Sequence, residues 1–206
     1  MSDHYFSADP SVPFAREPLS CEVWGLRLDL VSGAGVYSRG RLDPGTAVLF
    51  RETEPPPPGH VLDLGTGYGV IGLAIAAAWR RDGVPSGGDS GVTGVEVNRR
   101  AVLLANQNAV SLGLQDRYVA CDPAVVPPTV HVDEIWSNPP IRIGKQALHA
   151  LLLEWFARLS PGGRAVMVVG KNLGGDSLQS WLTDQGYPTN RVASAKGFRV
   201  LESRSA

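Results

Sequence analysis

Little in this sequence points to redox chemistry, a structural metal or a membrane. Among 206 residues there are two cysteines, Cys21 and Cys121. They stand far apart, without the paired spacing of metal sites and disulfide frameworks. A reducing compartment and no bound metal are expected. Long hydrophobic runs are missing too. The longest apolar stretch, Val70 to Trp79, is about ten residues, roughly half of what a helix needs to cross a bilayer. Met1 to Phe6 has no basic region and leads into no apolar segment, so a cytoplasmic protein without a secretory signal is expected. Net charge is equally scarce, at −1 with a pI of about 6.4. That balance counts against strong nonspecific binding of nucleic acid. It leaves room for a local basic patch: Arg39 with Arg41, Arg99 with Arg100, Arg142 with Lys145 and Lys196 with Arg199 are paired cations. Most such pairs are solvated surface. There are no internal repeats.

What is present is a core and a glycine turn. Hydrophobic residues make up 43%, enough for one α/β domain of this length. The organising stretch is His60 to Gly72, H-V-L-D-L-G-T-G-Y-G-V-I-G. Val61, Leu62 and Leu64 form a short apolar strand containing Asp63, and Gly65, Gly67 and Gly69 follow at alternate positions. Val70 to Trp79 is apolar and Ala-rich, which suits a buried helix. Strand, glycine turn and helix make a nucleotide-type binding turn, with bare backbone and a helix N-terminus facing the ligand. Two readings compete for it. Gly67-x-Gly69-x-x-Gly72 satisfies the dinucleotide fingerprint, and Glu96 lies 24 residues beyond Gly72, where a ribose-binding acid belongs. The register disagrees, because the first glycine after the strand is Gly65. The turn is then Asp63-x-Gly65-x-Gly67-x-Gly69, which resembles the first motif of the class I methyltransferases and so implies a ligand carrying an amino and a carboxylate group rather than a pyrophosphate.

Residues 1–58 read as an N-terminal extension and residues 59–206 as a ligand-binding core, together one compact unit. The start, to Pro18, reads as an extended arm. Cys21 to Val31 alternates apolar and polar residues, with Trp24-Gly25 at a turn, which predicts an antiparallel pair. Val36 to Ser38 is expected to pair back onto it. Arg39 to Thr46 reads as a loop, Ala47 to Glu54 as a helix and Pro55 to Pro58 as a stiff spacer. From His60 strands and helices alternate, which is the form of a doubly wound, mostly parallel sheet. Strands are expected at 91–97, 117–121, 134–137 and 164–169, and helices at 98–112, 145–159 and 175–185. Pro161 to Gly163 reads as a turn, and 191–194 with 198–201 as a terminal antiparallel hairpin around Lys196-Gly197.

Ligands of such sheets bind beyond the carboxyl ends of the strands. Asp63, Glu96, Asp122 and Asn138 all fall at or just after such ends. Glu96 would accept from ribose hydroxyls, and Asp122 either accepts from an adenine amine or caps a loop. Asn138-Pro139-Pro140-Ile141 resembles the N-P-P-aromatic motif of methyltransferases that act on planar exocyclic amines, and the resemblance implies its chemistry. An amine on an aromatic ring gives its lone pair to the π system and is a poor nucleophile. The Asn138 side-chain oxygen and the Pro139 carbonyl can each accept one of its N–H bonds, which favours the geometry for attack on an electrophilic methyl.

These pieces resemble the small-domain class I methyltransferases, the MTS group that includes ribosomal RNA guanine-N2 methyltransferases. The resemblance is carried by His4-Tyr5-Phe6, Gly35-Val-Tyr-Ser-x-Gly-x-Leu-Asp43-x-Gly-Thr46 and the Asp63 to Gly69 turn. It extends through Asn138-Pro-Pro-Ile-Arg-x-Gly-Lys145, Lys171-x-x-Gly-x-x-Ser177 and Lys196-Gly-Phe-Arg-Val-Leu201. It implies S-adenosylmethionine as cofactor, held by Asp63, Gly65, Thr66, Gly67, Glu96, Val97, Asp122 and Asn138. It implies a guanine amine in structured RNA, ribosomal RNA or a small-subunit particle, as target, with Asn138, Pro139, Pro140 and Ile141 as the catalytic motif. Tyr37, Arg41, Arg142 and Lys171 would meet the substrate, and a monomer or weak dimer with no metal is expected. Two departures stand out. The last motif position, often an aromatic that stacks on the base, is Ile141, so stacking falls to Phe6, Tyr37 or Phe198. The additional N-terminal domain of the bacterial ribosomal RNA enzymes has no counterpart in these residues. The competing activities are methylation of a protein glutamine amide or of adenine N6, a module that binds without catalysing, and an NAD-dependent dehydrogenase.

Overall fold

A computed structural model describes residues 13–205, apart from the side chain of Leu173. The expected Phe6 and its neighbours lie outside the described residues. The chain opens with a hairpin of β1 (Arg16–Val23) and β2 (Leu26–Gly33), paired antiparallel. Trp24 and Gly25, with φ of 48° and 74°, make the tight turn whose twist suits such a pair. Leu19, Cys21, Val23, Leu28 and Leu30 alternate onto one buried face. Both cysteines are free, and burial pushes the Cys21 thiol up to about 11. Cys21 is therefore a core residue without thiolate chemistry.

The core sheet has seven strands: β3 (His60–Leu64), β4 (Gly91–Val95), β5 (Tyr118–Cys121), β6 (Val132–Ser137), β7 (Leu159–Gly170), β8 (Thr189–Ala195) and β9 (Phe198–Arg204). Their spatial order is β5-β4-β3-β6-β7-β9-β8. The first five are parallel, and β9 runs antiparallel to β7 and β8. Helices α1 (Pro44–Arg51), α2 (Val70–Arg81) and α3 (Arg99–Ser111) cover one face with the hairpin. Helices α4 (Lys145–Phe156) and α5 (Gly175–Asp184) cover the other. Strand order reverses between β3 and β6, so the crevice of the sheet opens above Leu64 and Ser137, which are register partners.

Three segments differ from expectation. Val36 to Ser38 is a turn and does not pair back onto the hairpin. The helix expected from Ala47 starts at Pro44, inside the expected loop, and ends at Arg51. Asp43 caps it, accepting from the N–H groups of Gly45 and Thr46, and Pro44 supplies a pre-set φ at the first helical position. The expected turn at Pro161–Gly163 is absorbed into β7, where the register with β6 shifts between Val132 and Glu134. Nothing in the described residues forms a helix long and apolar enough to cross a membrane.

The hairpin is fastened by two buried amides. Asn108 on α3 accepts from the N–H of Val31 and donates to the carbonyls of Val31 and Tyr68. Asn98 caps α3 and donates to the Gly35 carbonyl at 2.7 Å. Because β2 also buries Leu28 and Leu30 in the cluster that holds Leu73 and Leu104, the extension and the glycine turn share one packing unit.

Candidate active site

The glycine turn is built from positive φ. Gly65, Gly67 and Gly69 have φ of 73°, 56° and 94°, values at which a side chain costs strain. A methyl group on Gly67 would meet nothing within 4 Å, and one on Gly65 only the edge of Pro140 at 4.0 Å. Bare backbone therefore faces open space beside the Asn138-Pro139-Pro140 loop. Gly72 is needed for a different reason: a Cβ there would lie 2.5 Å from the Tyr118 ring, so its place in the dinucleotide fingerprint reflects helix–sheet packing.

Beneath the turn Asp63 is fully buried. Its Oδ2 accepts from the Gly72 N–H at 2.8 Å and from the Thr66 hydroxyl, which also meets the Tyr118 hydroxyl at 2.8 Å. Its Oδ1 has no partner. An orphaned buried acceptor costs about 1–3 kcal/mol, and beside an open glycine turn it fits a cationic amine, met directly or through one water. The amino group of S-adenosylmethionine satisfies that requirement. Burial pushes the Asp63 carboxyl up to about 6, against the lowering effects of Thr66 and Gly72 and with a like charge from Glu96. The folded value thus exceeds the ordinary 3.8, so the ligand-free fold loses stability as pH rises through about 6. Cofactor affinity runs the opposite way, because an ammonium ligand needs the carboxylate. Calorimetry from about pH 5 to 8 should show affinity rising and then levelling, and Asp63→Asn should flatten the curve. A wild-type affinity constant over that range would exclude Asp63 from the amine site.

Glu96 follows β4 half-buried and ties it to the turn. Its Oε2 accepts from the Gly67 N–H at 3.1 Å and its Oε1 from the Asn98 N–H at 3.0 Å. Burial raises its carboxyl above the usual range. Each oxygen keeps a lone pair for a ribose hydroxyl. Val97 beside it is 43% exposed. Asp122 is exposed at the end of β5 and accepts from the Ala124 N–H at 2.8 Å, so it fills the loop-capping role with one oxygen to spare. The Thr66 hydroxyl points inward, to Asp63 Oδ2 and the Tyr118 hydroxyl.

Asn138 stands across the switch in strand order. Its Nδ2 donates to Asp43 Oδ1 at 2.7 Å and to Thr46 Oγ1 at 3.0 Å. The Pro139 carbonyl accepts from the Ile141 N–H at 2.8 Å, with a second lone pair remaining. Ile141 is half-buried and packs against the core cluster that includes α4. Tyr37 is 42% exposed, and its hydroxyl donates to Asp43 Oδ2 at 2.7 Å. Burial and then this hydrogen bond raise its phenol, opposed by the positive charges of Arg142 and Arg41. Those arginines are exposed, as is Lys145. Tyr37, Arg41 and Arg142 therefore share one rim above Asn138, whereas Lys171 opens the turn after β7 near Asp176. Asp43, which joins Tyr37 to Asn138, lies in the Tyr37 to Thr46 stretch that the resemblance implies is near cofactor and substrate, but the resemblance gives its carboxylate no role of its own. The signal was an Asp-Pro pair of helix-capping type, but its partner lies 95 residues away. Two other clefts, of about 360 and 230 Å³, open at the amino ends of the strands beside Gly162 and Gly91, far from these groups. No group of three His, Cys, Asp or Glu side chains suited to a metal occurs among the described residues.

Comparison with known proteins gives the family and the fold. Residues 27–202 match the family profile of the methyltransferase small domain. The chain is 30% identical, over 99% of both chains, to an uncharacterised Bacillus subtilis protein, YbxB. It is 30% identical to ribosomal RNA small subunit methyltransferase C of Pseudomonas aeruginosa, matching 96% of this chain and 57% of that protein. The structure superposes with a TM-score of 0.78 on a Thermus thermophilus 16S rRNA N2 G1207 methyltransferase solved with AdoMet and guanosine. That match covers 96% of this chain and 52% of the other at 24% identity. The chain thus spans little more than half the length of the ribosomal RNA methyltransferases it matches. The fold is that of the class I methyltransferases.

Proposed function

The chain belongs to the methyltransferase small-domain family, and on that premise we propose that it methylates guanine N2 in ribosomal RNA. The observation that carries the proposal is the placing of the Asn138-Pro139-Pro140 loop beside the open backbone of Gly65, across the switch in strand order. When bound, S-adenosylmethionine supplies an electrophilic methyl group. Asp63 would neutralise its amine, Glu96 would hold its ribose and Val97 would border its base, with Asp122 near the adenine edge.

The protein's part in the chemistry is acceptance and alignment. Asn138 Oδ1 and the Pro139 carbonyl each take one N–H of the target amine, which turns the nitrogen lone pair out of the ring. No strong base is needed beforehand, because the amine becomes acidic only as its new bond forms. Tyr37 supplies the stacking ring that Ile141 does not. Arg41, Arg142 and Lys145 give an RNA backbone a local positive rim on a chain of net charge −1. A ribosomal RNA target places the enzyme in the cytoplasm.

Glu96→Ala should weaken cofactor binding by about tenfold to a hundredfold, through the lost ribose contacts and a loosened Gly67. Calorimetry reads the change, and unchanged affinity would remove Glu96 from the ribose role. The substrate is tested by offering labelled S-adenosylmethionine with 30S subunits, naked ribosomal RNA, transfer RNA and release factors. Label on ribosomal RNA or its subunit supports the proposal. Label confined to protein would move the target to a glutamine amide.

A further inference from the structure

We propose that Asp43 is a positioning residue that sets the orientation of the Asn138 amide, so that its oxygen rather than its nitrogen meets the target amine. The inference rests on Asn138 being the amine acceptor, and it concerns what makes it one. A side-chain amide has nearly the same shape either way round, so sterics do not choose between its two orientations. Its neighbours do. Asp43 Oδ1 lies 2.7 Å from Asn138 Nδ2, and a carboxylate has no proton to give, so the amide must turn its nitrogen toward it. Thr46 Oγ1, 3.0 Å away, takes the second N–H. Both donors are then occupied, and among the described residues no protein donor reaches Oδ1. The opposite orientation would set an NH2 against an amine, donor against donor.

Asp43 is itself fixed. Its Oδ1 also accepts from the Gly45 and Thr46 N–H groups at 2.8 and 3.1 Å, which anchors the carboxylate to the first turn of α1. Its Oδ2 holds the Tyr37 hydroxyl at 2.7 Å. One carboxylate therefore links the amide that receives the amine to the exposed ring beside it. The helix cap, ordinarily a device for stability, here also carries alignment from the N-terminal extension to the core.

Two substitutions separate alignment from capping. Serine caps a helix as well as aspartate does but is too short to span to Asn138 and Tyr37. Asp43→Ser is expected to lower kcat by about ten- to a hundredfold, with cofactor affinity within about twofold and little change in melting temperature. Asparagine keeps an oxygen for Gly45, Thr46 and Asn138, and the Tyr37 hydroxyl can turn to accept from it. Asp43→Asn is therefore expected to recover kcat to within about threefold. Thr46→Val, which removes one acceptor while leaving the cap, should lose about threefold to tenfold. A second readout is independent of activity. In nitrogen-15 spectra the Asn138 side-chain NH2, identified by its absence in Asn138→Ala, should exchange slowly with water in the wild type and fast in Asp43→Ser. Wild-type kcat in Asp43→Ser, or unchanged exchange there, would overturn the proposal. So would a loss in Asp43→Asn as deep as in Asp43→Ser, since charge rather than orientation would then be at work. If the wild type methylates none of the substrates, the functional reading fails, and the exchange measurement still decides whether Asp43 holds the amide.

Discussion

Asn138→Ala is expected to lower the rate of methyl transfer by about a thousandfold while leaving cofactor affinity within a few fold. The size follows from what the amide contributes. Removing one preorganised hydrogen-bonding group aimed at the reacting centre of an enzyme costs about a hundred- to a thousandfold in rate, roughly 3–4 kcal/mol. Here the loss also includes alignment of the amine, which Pro139 alone cannot fix. On the proposed reading the cofactor is held from the other side of the crevice, by the glycine turn, Asp63 and Glu96. Its affinity is therefore separable from turnover. Single-turnover kinetics beside calorimetry distinguish the two quantities. Equal losses in both would place Asn138 in the cofactor site instead.

Asn108→Ala should be the most damaging substitution away from the crevice, lowering stability by about 4 kcal/mol. The side chain is 2% exposed and makes three hydrogen bonds, of 2.8, 2.9 and 2.9 Å, to Val31 N–H, Val31 C=O and Tyr68 C=O. Truncation leaves three backbone groups without partners, at about 1–3 kcal/mol for each that stays dry. Val31 is half-buried, so water recovers part of that cost. For a chain of this size the melting temperature should fall by about 10 °C. Tyr68 belongs to the glycine turn, so cofactor affinity should fall as well, unlike the result for Asn138→Ala. A loss under about 1 kcal/mol in thermal or urea unfolding would show that the apolar face alone secures the hairpin.

The features legible in sequence are those whose signal is local. Gly65, Gly67 and Gly69 betray a turn because their conformations exclude other residues, and Trp24-Gly25 and Lys196-Gly197 mark hairpins for the same reason. Alternation in Cys21 to Val31 exposes a half-buried pair, and the alternating strands and helices after His60 lead to the observed sheet. Illegible were the contacts between distant segments. Nothing near Asp43 in sequence says that its carboxylate will meet Asn138, and nothing near Asn108 says that it will complete the ladder of Val31. Asp43-Pro44 reads in sequence as part of a loop, because an Asp-Pro pair serves turns and helix starts alike. Val36 to Ser38 carries strand-forming residues, but the carbonyls of Ala34 and Gly35 on its N-terminal side are bound to Arg100 and Asn98, which holds this stretch against α3.

The most direct test is nucleoside mass spectrometry of ribosomal RNA after incubation of 30S subunits and naked RNA with the protein and S-adenosylmethionine. A site built from Asn138 and Pro139 at the open glycine turn should yield N2-methylguanosine, and the Asn138→Ala variant should yield almost none. A different methylated nucleoside, such as N6-methyladenosine, or N2-methylguanosine formed equally well without the Asn138 amide, would contradict it.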